Sequence, residues 1–192
     1  MQASDCVHCH AQWRAPFFAA ALAAGEVVAC PAEGVWGLSC DPEDEDAVDC
    51  LLQMKRRPVD KGLIIVAADP HDFAPLLTRL TGAQQRTLLD SWPGPNTWLV
   101  PHGDLLPRWI TGDSDYVAIR VTSAPALRAL SRAFGGPLVS TSANPAGLPA
   151  PHTLWQVRRY FGTRLPAMPG GLDPAGKAST IRRVEDGALV RP

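Results

Sequence analysis

Strand-like and helix-like segments alternate along the whole chain, and this alternation limits the fold more tightly than any other feature. Short apolar runs at Val27–Cys30, Val35–Cys40, Leu63–Ala67, Trp98–Pro101, Tyr116–Val121 and Leu138–Ser140 have the length and side-chain type of strands. Between them, Trp13–Ala24, a segment from the acidic run Asp41–Asp46 to about Met54, Pro70–Thr78, Ala83–Ser91, Ala124–Phe134 and Thr153–Phe161 read as helices. Gly25 and Gly135-Gly136 are natural helix stops, and acids in a first turn suit the helix dipole. Two late strands, Ser179–Arg183 and Ala188–Arg191, surround the turn Glu185-Asp186-Gly187. The pattern predicts an α/β fold: one twisted mixed β-sheet flanked by helices. No linker or internal repeat divides the 192 residues, so one domain is expected over 13–192, behind a poorly ordered tail at 1–12.

Composition removes several function classes. Apolar residues are 46% and charged residues 19%, which is globular rather than disordered. Nineteen prolines and sixteen glycines promise many turns but stay short of the roughly 25–30% that marks low complexity. The net charge is −1 and the pI about 6.5, so a bulk polyanion binder is excluded and any RNA contact must use a local patch. The longest stretch free of charge, Ala133–Val157, carries four prolines and cannot span a membrane. A cytoplasmic protein is expected.

Five cysteines without a leader pattern argue against a disulfide framework. Cys6-Val7-His8-Cys9-His10 matches the C-x-x-C-H haem-attachment pattern, but no export signal precedes it, and a structural zinc site would need a second pair of ligands.

Three segments that follow strands do not read as core. Pro31-Ala32-Glu33-Gly34-Val35-Trp36-Gly37-Leu38 places a carboxylate among glycines, which let backbone approach a ligand; a plain β-turn with Glu33 in solvent is the alternative. Lys55-Arg56-Arg57-Pro58-Val59-Asp60-Lys61-Gly62 puts four cations in seven residues at a helix end. One or two would complement the dipole; Lys55 and Arg57 together could grip a polyphosphate, one as a point charge and one as a fork. Ser140-Thr141-Ser142-Ala143-Asn144-Pro145-Ala146-Gly147 follows an apolar strand, where α/β sheets bind ligands, and its hydroxyls can hold phosphate oxygens or merely form an Asx turn. Neither standard nucleotide-binding loop motif is present.

In this order, and with Trp92–Thr97, Val117–Val121, Ser179-Thr180-Ile181 and Val190-Arg191-Pro192, these segments resemble the YrdC family of threonylcarbamoyl-AMP synthases. The family's K-x-R and S-x-N signature is matched by Lys55/Arg57 and Ser142/Asn144, and the likeness covers residues 13–192, the length of the short family form. The resemblance implies an L-threonylcarbamoyladenylate synthase. It would use ATP, L-threonine and bicarbonate or CO2, release pyrophosphate, and supply a partner complex that modifies tRNA beside the anticodon. It implies Lys55, Arg57, Ser142 and Asn144 as the catalytic set, and these with Arg191 as the ATP site. It implies Gly34, Arg120, Ser140 and Ser179 for threonine, with Arg120 on the carboxylate. Magnesium would come with ATP rather than in a protein metal cage, and a monomer is expected. Many members carry Thr at the positions of Ala32 and Gly34 and Tyr at that of Trp36, so backbone groups remain as this loop's contribution; Val66 and Ala150 replace polar residues of some longer members.

The competing reading is a non-catalytic tRNA- or rRNA-binding paralogue of the same fold, using Arg56, Arg57, Arg158, Arg159, Arg182 and Arg183. A hydrogenase-maturation carbamoyl-transfer relative ranks behind it, since those proteins add acylphosphatase and zinc-finger modules. A c-type cytochrome built on Cys6–His10 ranks last.

Overall fold

Leu63–Ala67, the most apolar strand signal in the chain, ends up near the middle of the sheet. The computed structural model describes residues 3–173, 176 and 178–191, with side chains from residue 11 onward. Cys6, Cys9 and His10, as side chains, and Lys177 therefore lie outside the described residues. The strands are β1 (Val28–Pro31), β2 (Trp36–Ser39), β3 (Ile64–Ala67), β4 (Asn96–Pro101), β5 (Tyr116–Val121), β6 (Leu138–Ser142), β7 (Thr180–Arg183) and β8 (Leu189–Arg191). They form a single mixed sheet in the order β1-β2-β6-β3-β5-β4-β7-β8. The pairs β3–β5 and β4–β7 are parallel and the others antiparallel. The helices are α1 (Ala3–Ala23), α2 (Glu45–Lys55), α3 (Ala74–Leu77), α4 (Gly82–Ser91), α5 (Arg108–Thr111), α6 (Pro125–Phe134) and α7 (Leu154–Phe161). No helix among the described residues is long and apolar enough to cross a membrane.

Three differences from the sequence reading have physical reasons. Helix α1 begins at Ala3 rather than Trp13, and Ala11 and Ala15 are already buried in its seam with α6. Helix α5 is a single turn, too short to show a period. Strand β6 runs on through Thr141 and Ser142, read from sequence as a turn, because these residues pair through their backbones with Leu38 and Gly37 of β2.

Two packed faces explain where the cavity sits. On one face Ile65, Ala67, Ile119, Val121 and Val139 meet Val48 and Leu51 of α2 and Leu88 of α4. On the other, Val28, Cys30, Val66 and Leu138 lie under Phe18 and Leu22 of α1 and Leu127 and Leu130 of α6. Leu22 and Leu130 are fully buried, and truncating either to alanine would cost about 2–5 kcal/mol. Helices α1 and α6 cover only part of that second face. Ile64, Ala118, Ser140 and Leu99 stand side by side across four strands on the same face, and all four line an open cavity. Side chains alternate across a strand, so Tyr116, Ala118 and Arg120 of β5 face this cavity while Val117, Ile119 and Val121 enter the core.

Candidate functional site

Gly34, Lys55, Arg57, Arg120, Ser140, Ser142, Asn144, Ser179 and Arg191, the nine residues singled out from the sequence, all line this one cavity of about 590 Å³. Segments far apart in the chain supply them.

Lys55 arrives by the amphipathic period of α2. Asp44 caps the helix by accepting from the Ala47 amide, and the buried stripe Ala47, Val48, Leu51, Leu52 continues one turn further to Lys55. The lysine is thereby carried under the end of β6, where it is 5% exposed. Its Nζ donates to the backbone oxygens of Ser142 and, at 3.0 Å, of Asn144. The helix then stops on Arg56, held in the left-handed region at φ 50°, and the Arg57 amide turns back to the Leu52 oxygen. This reversal is the geometric content of the K-x-R spacing: Arg56 is left exposed while Lys55 and Arg57 face the cavity. Arg57 Nη2 donates to the carbonyls of Lys61 and Gly62 at 3.1 and 2.9 Å, and its Nε is buried without a partner among the described residues.

The S-x-N turn acts first through its backbone, since both its carbonyls receive Lys55. The Asn144 amide donates to the oxygens of Pro145 and, at 2.6 Å, of Leu148, so it closes the 145–148 loop, and its Oδ1 is buried without a partner among the described residues. Ser179 is 4% exposed and accepts from the Thr97 hydroxyl at 2.9 Å, while its carbonyl receives Arg191 Nη2 at 3.3 Å.

Arg120 is buried at the floor. Its Nη1 lies 3.2 Å from Glu33 Oε2, and both side chains are under one-tenth exposed. Glu33 Oε1 accepts from the Thr122 hydroxyl at 2.8 Å and the Ser123 amide at 3.2 Å. Glu33 is thus a buried site residue and not the solvated turn carboxylate that the sequence left open. Sequence reasoning assigned it no role; its only signal was an acid standing alone between two apolar strands. Lys61 was read only as one of four cations at a helix end, Thr97 only as part of the Trp92–Thr97 segment, and Thr122 was given no role.

Five cations and a single carboxylate line the cavity among the described residues: Lys55, Arg57, Lys61, Arg120 and Arg191 against Glu33. Burial, and then the neighbouring Arg57, push the Lys55 ammonium down to about 8. Burial and then Arg191 lower Arg57, against an opposing pull from Asp60. Burial lowers Arg120, with Glu33 opposing and Arg191 adding. Burial also lowers Arg191, an exposed residue whose guanidinium is partly covered. Such a lining is suited to an extended polyanion, because each uncompensated buried cation gains from an incoming charge.

Of the arginines of the RNA-binding reading, Arg56 is exposed at the end of α2 and the other five have contacts of their own or face the cavity. Arg57 is in the cavity, Arg158 donates to the Thr163 carbonyl, Arg159 lies over the Trp155 ring, Arg182 donates to the Gly187 carbonyl, and Arg183 sits 3.8 Å from Asp186. Of the family departures, Ala32 and Ala150 line the cavity, whereas Trp36 and Val66 are packed in the two cores.

Comparison with known proteins identifies the chain's family. The Sua5/YciO/YrdC family profile, described as "Telomere recombination", matches residues 20–192. A threonylcarbamoyl-AMP synthase of Cellvibrio japonicus is 51% identical over 171 residues, covering 88% of this chain and 89% of its own. A protein of the same name from Pseudomonas aeruginosa is 49% identical over 181 residues, covering 94% and 97%. The structure of P. abyssi Sua5 complexed with L-threonine superposes with a TM-score of 0.85 at 30% identity, over 94% of this chain and 54% of that longer one. The chain therefore belongs to the Sua5/YciO/YrdC family.

Proposed function

We propose that the protein is a threonylcarbamoyl-AMP synthase, which joins L-threonine, bicarbonate or CO2, and ATP into threonylcarbamoyl-adenylate and releases pyrophosphate. The observation that carries the reading is the array of cations that have no carboxylate partner among the described residues, the buried Lys55 and half-buried Arg57 beside Arg191, in a cavity that also holds the paired Arg120. Relatives about half identical over most of the chain bear that name.

The threonine nitrogen forms a bond to the carbon of CO2 and loses a proton. One oxygen of the resulting carbamate attacks the α-phosphorus, and the bond to the bridging oxygen breaks, with pyrophosphate taking the electron pair. Negative charge grows on phosphate oxygens throughout, so positioned cations are the main catalytic need. Lys55 and Arg57 hold the triphosphate and the transition state, and Arg191 adds a third cation. Ser142 presents its hydroxyl to the same oxygens, while Asn144 holds the loop that fixes Lys55. Arg120 takes the threonine carboxylate, with Ser140, Ser179 and the Gly34 backbone around it. Magnesium enters with ATP as part of that substrate. The cavity's carboxylate is already engaged by Arg120, Thr122 and Ser123, so phosphate oxygens are the fitting ligands for a hard cation. The product passes to a tRNA threonylcarbamoyl-transferase complex, and the working unit is a cytoplasmic monomer.

Pyrophosphate release from magnesium-ATP, with threonine and bicarbonate left out in turn, tests this. Release that needs both, and collapses in Lys55→Ala, is expected. Release indifferent to threonine, or none at all alongside intact tRNA binding, would overturn it in favour of the RNA-binding paralogue.

A further inference from the structure

We infer that Glu33 is a positioning and specificity-determining residue that divides the cavity into an amino-acid end and a polyanion end. The inference rests on the reading of Arg120 as the holder of the substrate carboxylate.

The two ends differ in charge balance. Lys55, Arg57 and Arg191 meet only neutral carbonyls in their hydrogen bonds. Among the described residues, Arg120 alone of the cavity's cations forms an ion pair, with a carboxylate at 3.2 Å. That carboxylate is held rigidly. A tight turn, with the Ala32 amide donating to the Val35 carbonyl at 3.1 Å, delivers it. Thr122 and Ser123 fix its Oε1, and the Thr122 hydroxyl itself accepts from the Ala124 amide at 3.1 Å. Oε2 is left to Arg120 and makes no other bond among the described residues.

Two consequences follow for the known chemistry of these groups. First, Glu33 restrains one arm of the Arg120 fork through a single ion-pair contact at 3.2 Å and leaves the Nε without a partner among the described residues, so donors remain for an incoming carboxylate. Second, Glu33 balances the Arg120 charge. A multiply charged phosphate gains little at a balanced pair, whereas a zwitterion, itself neutral, loses little there. Lys55, Arg57, Arg191 and Arg120 line one and the same cavity. Without Glu33 a phosphate could slide to the wrong end of it.

Steady-state pyrophosphate release, with inorganic phosphate as inhibitor, tests the division. In the wild type, phosphate should compete with ATP and leave the threonine KM unchanged. In Glu33→Gln the threonine KM should rise about tenfold or more, as loss of one charge-assisted contact predicts, while the ATP KM stays within about threefold. Phosphate should then become competitive with threonine. Glu33→Asp, which keeps the charge, should restore the wild-type inhibition pattern. The inference is overturned if phosphate already competes with threonine in the wild type. It is equally overturned if a folded Glu33→Gln keeps its threonine KM and inhibition pattern, or raises both KM values together. If Glu33→Gln does not fold, the wild-type pattern and Glu33→Asp decide. Arg120→Lys separates the two levels: an unchanged threonine KM there sinks the assignment of Arg120 itself, whereas a raised one with an inert Glu33→Gln sinks only the role of Glu33.

Discussion

Lys55 should impose a pH limit on ATP capture that disappears once ATP is bound. Its ammonium is pushed down to about 8, first by burial and then by Arg57, from an ordinary 10.5. At about 1.4 kcal/mol per pH unit, keeping Lys55 charged in the empty enzyme costs about 3 kcal/mol of stability. Between pH 8 and 10.5 the unfolded lysine holds a proton that the folded one has released, so folding stability rises with pH across that window. A bound triphosphate reverses the balance and restores the proton. The rate constant kcat/KM for ATP reports the free enzyme and should therefore fall above about pH 8, while kcat, which reports the loaded enzyme, should hold to higher pH. The substrate amine titrates nearby, so the comparison must be made at saturating threonine against Lys55→Arg. Arginine stays charged throughout, and its profile should lose the break even though its rate is lower. Lys55→Ala should lose about a hundredfold or more in kcat/KM, the scale of one missing transition-state donor. A kcat/KM for ATP that is flat from about pH 7 to 9.5, or a break that persists in Lys55→Arg, would refute the assignment.

Asn144→Ala should lower kcat/KM for ATP by about tenfold, because the loop it ties to Leu148 also fixes a carbonyl that receives Lys55; urea denaturation should show a smaller loss, about 1–2 kcal/mol. Ser131→Ala should give the opposite split. Its hydroxyl accepts from the buried Ala68 amide and donates to the Gly136 carbonyl away from the cavity, so stability should drop by about 1–3 kcal/mol with both KM values unchanged. Gly112→Ala should destabilise by about 2 kcal/mol or more by the same denaturation measurement. The residue sits at φ +66°, and a Cβ there would lie 2.3 Å from the Asp60 carbonyl oxygen. The turn it supports includes Lys61 and Gly62 of the cavity wall, so the KM for ATP should rise as well.

The parts of this site that sequence could show are those set by local periodicity. The stripe of α2 leads to Lys55, a left-handed cap separates Lys55 from Arg57, and the alternation of β5 sets Arg120 opposite Ile119 and Val121. These depend on residues within a turn or two, yet the sequence reading reached only part of them: it had Lys55 and Arg57 at a helix end and β5 as a strand, while the left-handed cap at Arg56 is seen only in the structure and Arg120 came from the family resemblance. What it could not show are pairings across the sheet. Glu33 and Arg120 stand 87 positions apart, and only the turn after β1 and the register of β5 bring them within 3.2 Å. The S-x-N turn illustrates a second limit. Residue type suggested side chains reaching for phosphate, yet the contacts that matter for Lys55 are two backbone carbonyls, and the Asn144 amide serves the loop. A motif therefore constrains backbone shape at least as much as it supplies functional atoms. The same reasoning bears on the missing hydroxyls at Ala32 and Gly34. If the loop's chief product is the placement of Glu33 against Arg120, its side chains on either side are free to vary while the turn from Ala32 to Val35 is kept.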